Sequence, residues 1–149
     1  MTKVANLSHK FVEHIPDELE SGMIYVSISF ATVVHKCCCG CGNEVVTPLT
    51  PTDWTLLFNG KTVSLDPSIG NWSFKCQSHY WIKDNKIKWS NNWSSSEVEA
   101  GRAHDRLAKQ NYYARLNKDN HVSLDSVGEK SSVIRKLKSL WQKFITRFR

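Results

Sequence analysis

The sequence predicts an α+β fold: a small antiparallel β domain followed by a helical, basic C-terminal extension. Three observations carry this. Short β-branched and aromatic runs, separated by turns rich in Asn, Gly and Pro, fill the first 90 residues. All five cysteines fall in two places, Cys37, Cys38, Cys39 and Cys41 in one turn and Cys76 far along the chain. From residue 97 onward the chain becomes helix-compatible and basic.

Taken in order, Phe11, Val12 and Ile15 precede Pro16-Asp-Glu-Leu-Glu-Ser-Gly22, whose proline and glycine mark a turn. Tyr25-Val-Ser-Ile-Ser-Phe30 alternates as a half-buried strand, with β-formers at 26, 28 and 30. The cysteine turn follows, then Glu44-Val-Val-Thr-Pro-Leu49, an extended segment that its prolines confine to a sheet edge. Trp54–Phe58, Asn59-Gly60 and Lys61–Leu65 read as a two-residue hairpin, because Asn-Gly suits both central positions of a type I′ turn. Asp66–Asn71 reads as a loop. Ser78–Lys83, Asp84-Asn85 and Lys86–Trp89 form a second hairpin pattern. Residues 91–131 read as a linker with a helix over 97–114, whose Glu97 and Glu99 suit the positive end of the dipole. Residues 132–149 have apolar positions at 3.6-residue spacing and predict a basic amphipathic helix. The boundaries are therefore a β-rich domain over 9–90, the linker, and the terminal helix.

The net charge of +6 is unevenly spread. Residues 1–96 hold 8 Lys and 8 acidic residues and sum to zero, whereas 97–149 hold 12 basic and 6 acidic residues. A neutral domain argues against phosphate-backbone binding by the core, since that needs local positive potential. The tail has three readings: packing on the domain, docking a partner protein, or lying on an anionic membrane surface. The start of the chain has no long apolar run of the secretory kind, and Met23–Val34 is too short and too polar for a membrane span. Adjacent cysteines pair poorly as disulfides, so a cytoplasmic setting with free thiols is expected.

Thiols crowded into a polar, glycine-containing turn, with a distant Cys76-x-x-His79 pair, suit a tetrahedral Zn²⁺ site. The candidate ligands are Cys37, Cys39, Cys41, Cys76 and His79, with Cys38 and His35 in reserve. That many thiol and imidazole donors can close the coordination sphere, which favours a structural metal over a catalytic one. Glu44 and Asp53 are the nearby candidates for a general base in the alternative, a zinc-dependent hydrolase. Trp54, Trp72, Phe74, Tyr80, Trp81 and Trp89 read first as the filling of a small β core and second as a stacking platform.

The runs His9-Lys-Phe-Val-Glu-His-Ile-Pro16, Gly22-Met-Ile-Tyr-Val-Ser-Ile28, His35-Lys-Cys-Cys-Cys-Gly-Cys-Gly42 and Glu44–Leu49 form a multi-part pattern. Pro51-Thr-Asp-Trp54, Val63–Trp72 and Cys76-Gln-Ser-His-Tyr-Trp-Ile82 continue it. Over about residues 9–90 the chain closely resembles an uncharacterised bacterial family, domain of unknown function 6527. The resemblance implies a small metal-binding protein, with Cys37, Cys39, Cys41, Cys76 and His79 at the metal positions. Position 38, commonly proline in that pattern, is Cys38 here. Some members look similar to components encoded beside bacterial ubiquitin-like conjugation genes, which implies protein partners from such a pathway. The resemblance assigns no catalytic residue.

The sequence thus favours binding over catalysis: a zinc-binding accessory or interaction module in a ubiquitin-like modification pathway. The alternatives are a zinc-dependent hydrolase or isopeptidase, and a nucleic-acid- or membrane-associated protein acting through its basic helix.

Overall fold

The computed structural model describes residues 2–118, so the helix expected over 132–149 lies outside the described residues. The chain divides into two compact units, Met1–Ala103 and His104–Arg149. The first contains two four-stranded sheets. Sheet 1 has the order β1 (Ser8–Phe11), β2 (Met23–Ser27), β3 (Thr32–Lys36), β4 (Glu44–Pro48). Sheet 2 has the order β5 (Thr55–Phe58), β6 (Val63–Gly70), β7 (His79–Lys83), β8 (Lys86–Trp89). Every pairing is antiparallel except β1 with β2, which is parallel. Helix α1 spans residues 95–118, of which 95–103 belong to the first unit and 104–118 to the second. Ser94 and Glu97 cap its start reciprocally: the Ser94 N–H donates to Glu97 Oε2 at 2.7 Å, and the Glu97 N–H donates to Ser94 Oγ at 3.3 Å. The α+β architecture expected from the sequence is the one observed. Among the described residues no helix is long and apolar enough to cross a membrane.

Alternation along the strands sends one set of side chains from each sheet into a shared core. Ile24, Val26, Val33 and Val45 come from sheet 1; Val63, Leu65, Ile69, Tyr80 and Ile82 come from sheet 2. Cys37 and Cys38 belong to the same cluster. On the other face of sheet 1, Tyr25 and Val34 pack with Leu19 under the segment that carries Val12 and Ile15. A buried polar bond of 2.9 Å crosses the core between His35 Nε2 and the Tyr80 hydroxyl. Burial disfavours the imidazolium and pulls the His35 pKa down to about 4, so the ring is neutral there.

Three local expectations change. The strand at Tyr25 ends at Ser27, leaving Ile28 and Phe30 exposed in a turn. Asn59-Gly60 does not make a two-residue hairpin: Phe58 pairs with Val63, so four residues form the loop. Asn59 Oδ1 accepts from the N–H groups of Lys61 and Thr62, and this side-chain turn displaces the type I′ geometry. Asp84-Asn85 adopts it instead, with φ of 50° and 61°. The expected loop at 66–71 is mostly strand, because β6 continues to Gly70 through a register shift between Leu65 and Ile69. The Asp66–Pro67 peptide within it is cis.

Candidate metal centre and serine–histidine pair

The cysteine turn follows directly from β3. Cys37 donates its N–H to Asn43 O at 2.8 Å, and the Gly40 N–H returns to Cys37 O at 3.0 Å, closing a tight loop. Gly40 has φ of 83°, and a Cβ there would strike the Thr2 backbone, so the turn needs glycine at this point. The second contributor lies between β6 and β7. Phe74 N–H to Asn71 O and Gln77 N–H to Phe74 O fold that segment into consecutive turns that bring Cys76 back to the first cluster.

The Sγ atoms of Cys37, Cys39, Cys41 and Cys76 all lie within 4.8 Å of one another. Tetrahedral zinc with Zn–S bonds of about 2.3 Å sets its sulfurs about 3.8 Å apart. The observed separations are 3.4 Å for Cys37–Cys39, 3.9 Å for Cys37–Cys76 and 3.7 Å for Cys41–Cys76. Four cysteines so arranged could hold a metal ion, and the donor set is compatible with zinc. Polar groups surround the sulfurs: Ser78 Oγ lies 3.1 Å from Cys37 Sγ, Asn43 Nδ2 donates to Cys41 at 3.3 Å, and Asn71 Nδ2 points at Cys37. For Cys76, burial pushes the thiol pKa up, but hydrogen bonds from the Ser78 N–H and hydroxyl and from Cys39 and Cys41 outweigh it and bring it to about 7. Burial pushes Cys37 and Cys39 up. Cys38 stands apart from the group. Fully buried, it is raised to about 12 by desolvation, with the Tyr80 hydroxyl opposing.

His79 does not join the four sulfurs. At the start of β7, Ser78 and Tyr80 face inward, Ser78 toward Cys37 and Tyr80 toward His35. Alternation turns the intervening His79 to the opposite face. There its Nε2 lies 2.9 Å from Ser68 Oγ. Ser68 stands in the irregular stretch of β6, and bulges of this kind re-aim side chains beside functional sites. The imidazole is 4% exposed and ringed by Trp72, Trp81 and Trp93 at centroid distances of 5.0, 5.6 and 4.9 Å. Trp72 and Trp93 stack on each other at 5.4 Å. Trp72 reaches this place because Gly70 has no side chain; a Cβ there would collide with its Nε1 and Cε2. Burial lowers the His79 pKa, and the Asn91 backbone carbonyl opposes that by raising it. Its Nδ1 is buried and makes no regular hydrogen bond.

The sequence reading did not single out Ser68. Its signal was available only as a serine between a cis-capable Asp-Pro and a glycine, eleven residues before a histidine. Of the two acidic candidates, Glu44 is exposed at the start of β4, and Asp53 accepts the Thr50 hydroxyl.

No curated protein and no solved structure matches the chain. One family model does, over residues 11–90, the stretch that carries both the four sulfurs and the serine–histidine pair. With more than half its length matched, the chain belongs to the family described as bacterial ubiquitination-like system serine protease (BubE).

Proposed function

We propose that this protein is a serine hydrolase of a bacterial ubiquitination-like system, built on a zinc-clamped β scaffold. Ser68 is the nucleophile and His79 its general base. The observation that carries the reading is the 2.9 Å contact between Ser68 Oγ and His79 Nε2. With its proton on Nδ1, the imidazole accepts the serine hydroxyl proton as Oγ attacks a peptide or isopeptide carbonyl. The C–N bond breaks, the amine leaves with that proton, and water then hydrolyses the acyl-serine ester. The description of the family as a serine protease supports the same chemistry.

In this reading Cys37, Cys39, Cys41 and Cys76 hold Zn²⁺, as the resemblance to domain of unknown function 6527 implies for those positions. Four thiolates fill a tetrahedral shell and leave no position for an activated water, so the metal is structural. That argument weighs against the zinc-dependent hydrolase with Glu44 or Asp53 as base. A purely accessory zinc module would share the pathway, the cytoplasmic setting and the protein partners, but it has no use for a serine aligned on a buried histidine.

The test is incubation of the purified protein with a fluorophosphonate probe, followed by mapping of the labelled residue. Labelling at Ser68, lost in Ser68→Ala, together with cleavage of a ubiquitin-like protein carrying a C-terminal extension, is the expected outcome. An unlabelled Ser68 in a folded, zinc-loaded protein would sink the proposal and return the accessory reading.

A further inference from the structure

The family match ends at residue 90, yet the surroundings of His79 do not. Three influences on His79 come from that limit or beyond it, at Ser90, Asn91 and Trp93. The Ser90 N–H donates to His79 O at 2.9 Å, fastening the strand that carries the imidazole. The Asn91 backbone favours the charged ring against the lowering by burial, and Trp93 packs edge-on against the ring at 4.9 Å while stacking on Trp72. Trp93 is in turn backed by the first turns of α1: a Cβ at Gly101 would stand 3.0 Å from its Cζ3. A serine–histidine pair ordinarily needs a third group to hold the imidazole in the correct tautomer and orientation. Among the described residues, no carboxylate is hydrogen-bonded to His79 Nδ1.

We propose that the segment 90–93, fixed by the start of helix α1, supplies that third element, with Trp93 as a positioning residue that clamps the His79 ring. The clamp rests on the reading of Ser68 and His79 as nucleophile and base, and it assigns a role to chain outside the matched family region. Trp93 and Trp72 enclose the imidazole in apolar walls, so it can rotate only by displacing an indole, and water is kept from its edge. The side chains against the ring, Ser68, Trp72, Trp81 and Trp93, are all uncharged. Hydration of the ring is therefore what the clamp controls.

The experiment uses the full chain with Trp93→Ala, Trp93→Phe and Gly101→Leu, and two readouts. The first is the rate of fluorophosphonate labelling against pH, in which Ser68 Oγ bonds to phosphorus, fluoride leaves and the hydroxyl proton passes to His79 Nε2. The second is the NMR titration of the His79 ring, which needs no reaction. Trp93→Ala slows labelling about tenfold or more and raises the His79 titration toward the ordinary imidazole value, while Trp93→Phe restores most of both. Gly101→Leu does the same as Trp93→Ala from a distance, although leucine is the better helix former and keeps α1 intact. Wild-type labelling rates and an unmoved His79 titration in both Trp93→Ala and Gly101→Leu would overturn the clamp. A wild-type protein that is not labelled at Ser68 would instead remove the nucleophile assignment, and the titration alone would then decide whether Trp93 shields the ring.

Discussion

Ser68 and His79 approach to 2.9 Å although eleven residues separate them, because β6 and β7 are antiparallel neighbours with a bulge between Leu65 and Ile69. Regular pairing would set Gly70 opposite His79, as it does at the end of the ladder. The extra length in β6 brings the serine hydroxyl alongside that pair. On the inner face at the start of β7, Ser78 touches Cys37 and Tyr80 reaches His35. One short strand thus has the sulfur cluster and core on one side and the candidate reaction centre on the other.

Replacing Ser68 by alanine removes the proposed nucleophile without removing a core side chain. Hydrolytic activity and fluorophosphonate labelling should fall by about 10³-fold or more. Stability should fall by about 1–2 kcal/mol, since Ser68 itself is only half-buried but its loss leaves the buried His79 Nε2 without that partner. Thermal unfolding beside the rate measurement separates the two effects, and a variant that keeps its rate excludes Ser68 from the chemistry.

If Ser68 and His79 act as proposed, acid should abolish hydrolysis later than an ordinary histidine would require. Burial disfavours the His79 imidazolium, and the Asn91 carbonyl only partly offsets this, so its folded pKa lies below the usual 6.5. A general base must be neutral, hence the rate stays on its plateau as pH falls through 6.5 and drops only below that. A kcat/KM profile whose acid limb sits above 6.5 would contradict the environment described for this ring.

That the cysteines would gather was legible from composition and spacing, since four crowded thiols with a fifth near a turn suit a shared metal, and four of the five sulfurs do lie together. The Asp84-Asn85 hairpin was legible for a local reason too, since two adjacent αL-tolerant residues match a known turn. His79 stands apart from the four sulfurs for a reason of period. The Cys76-x-x-His79 spacing suits two ligands on one turn, but β7 begins at His79, and strand alternation sends Ser78 rather than His79 toward the sulfurs. Ser68 stayed hidden because Asp66–Asn71 has the composition of a loop, and a bulge is visible only once its partner strand is known. The parallel β1 was equally invisible, as its register depends on a distant strand.

Gly70 is a position where an added methyl group should damage the site while leaving its polar residues in place. A Cβ there would collide with the Trp72 indole, which must then move away from His79 and from Trp93. Gly70→Ala is expected to cost about 1–3 kcal/mol through this overpacking and to reduce activity about tenfold or more. Trp72→Phe in the same background should recover part of the stability by making room, and recovery is read from thermal melts of the two variants. A Gly70→Ala protein as stable and active as wild type would mean the indole is free to yield.

Tyr80→Phe deletes the hydroxyl that His35 Nε2 meets in the core and that Asn71 Nδ2 also approaches. His35 is fully buried and Nδ1 already lacks a partner, so the variant leaves an imidazole with both nitrogens unsatisfied. The expected loss is about 1–3 kcal/mol. Chemical denaturation should register it as a lower midpoint with an unchanged slope. A neutral substitution would indicate that another donor or water takes the place of the phenol.

The metal prediction reaches the whole domain, because Cys37, Cys39 and Cys41 leave β3 whereas Cys76 sits between β6 and β7 in the other sheet. A zinc ion held by all four joins the two sheets at one end, where the covalent connection is a long excursion through β4 and β5. Elemental analysis should find one zinc per chain, and cobalt substitution should give the absorption of a tetrahedral tetrathiolate. Chelation, or Cys76→Ser, should lower the melting temperature by about 10 °C or more, since such sites contribute folding free energy directly. Cys38→Ala provides the contrast. It removes a buried thiol outside the four-sulfur group and should cost about 1–2 kcal/mol with the zinc content unchanged. His79→Ala should likewise retain the metal while losing hydrolysis. Loss of zinc in His79→Ala with retention in Cys76→Ser would reverse the ligand assignment and make the imidazole, not the fourth sulfur, the closing donor.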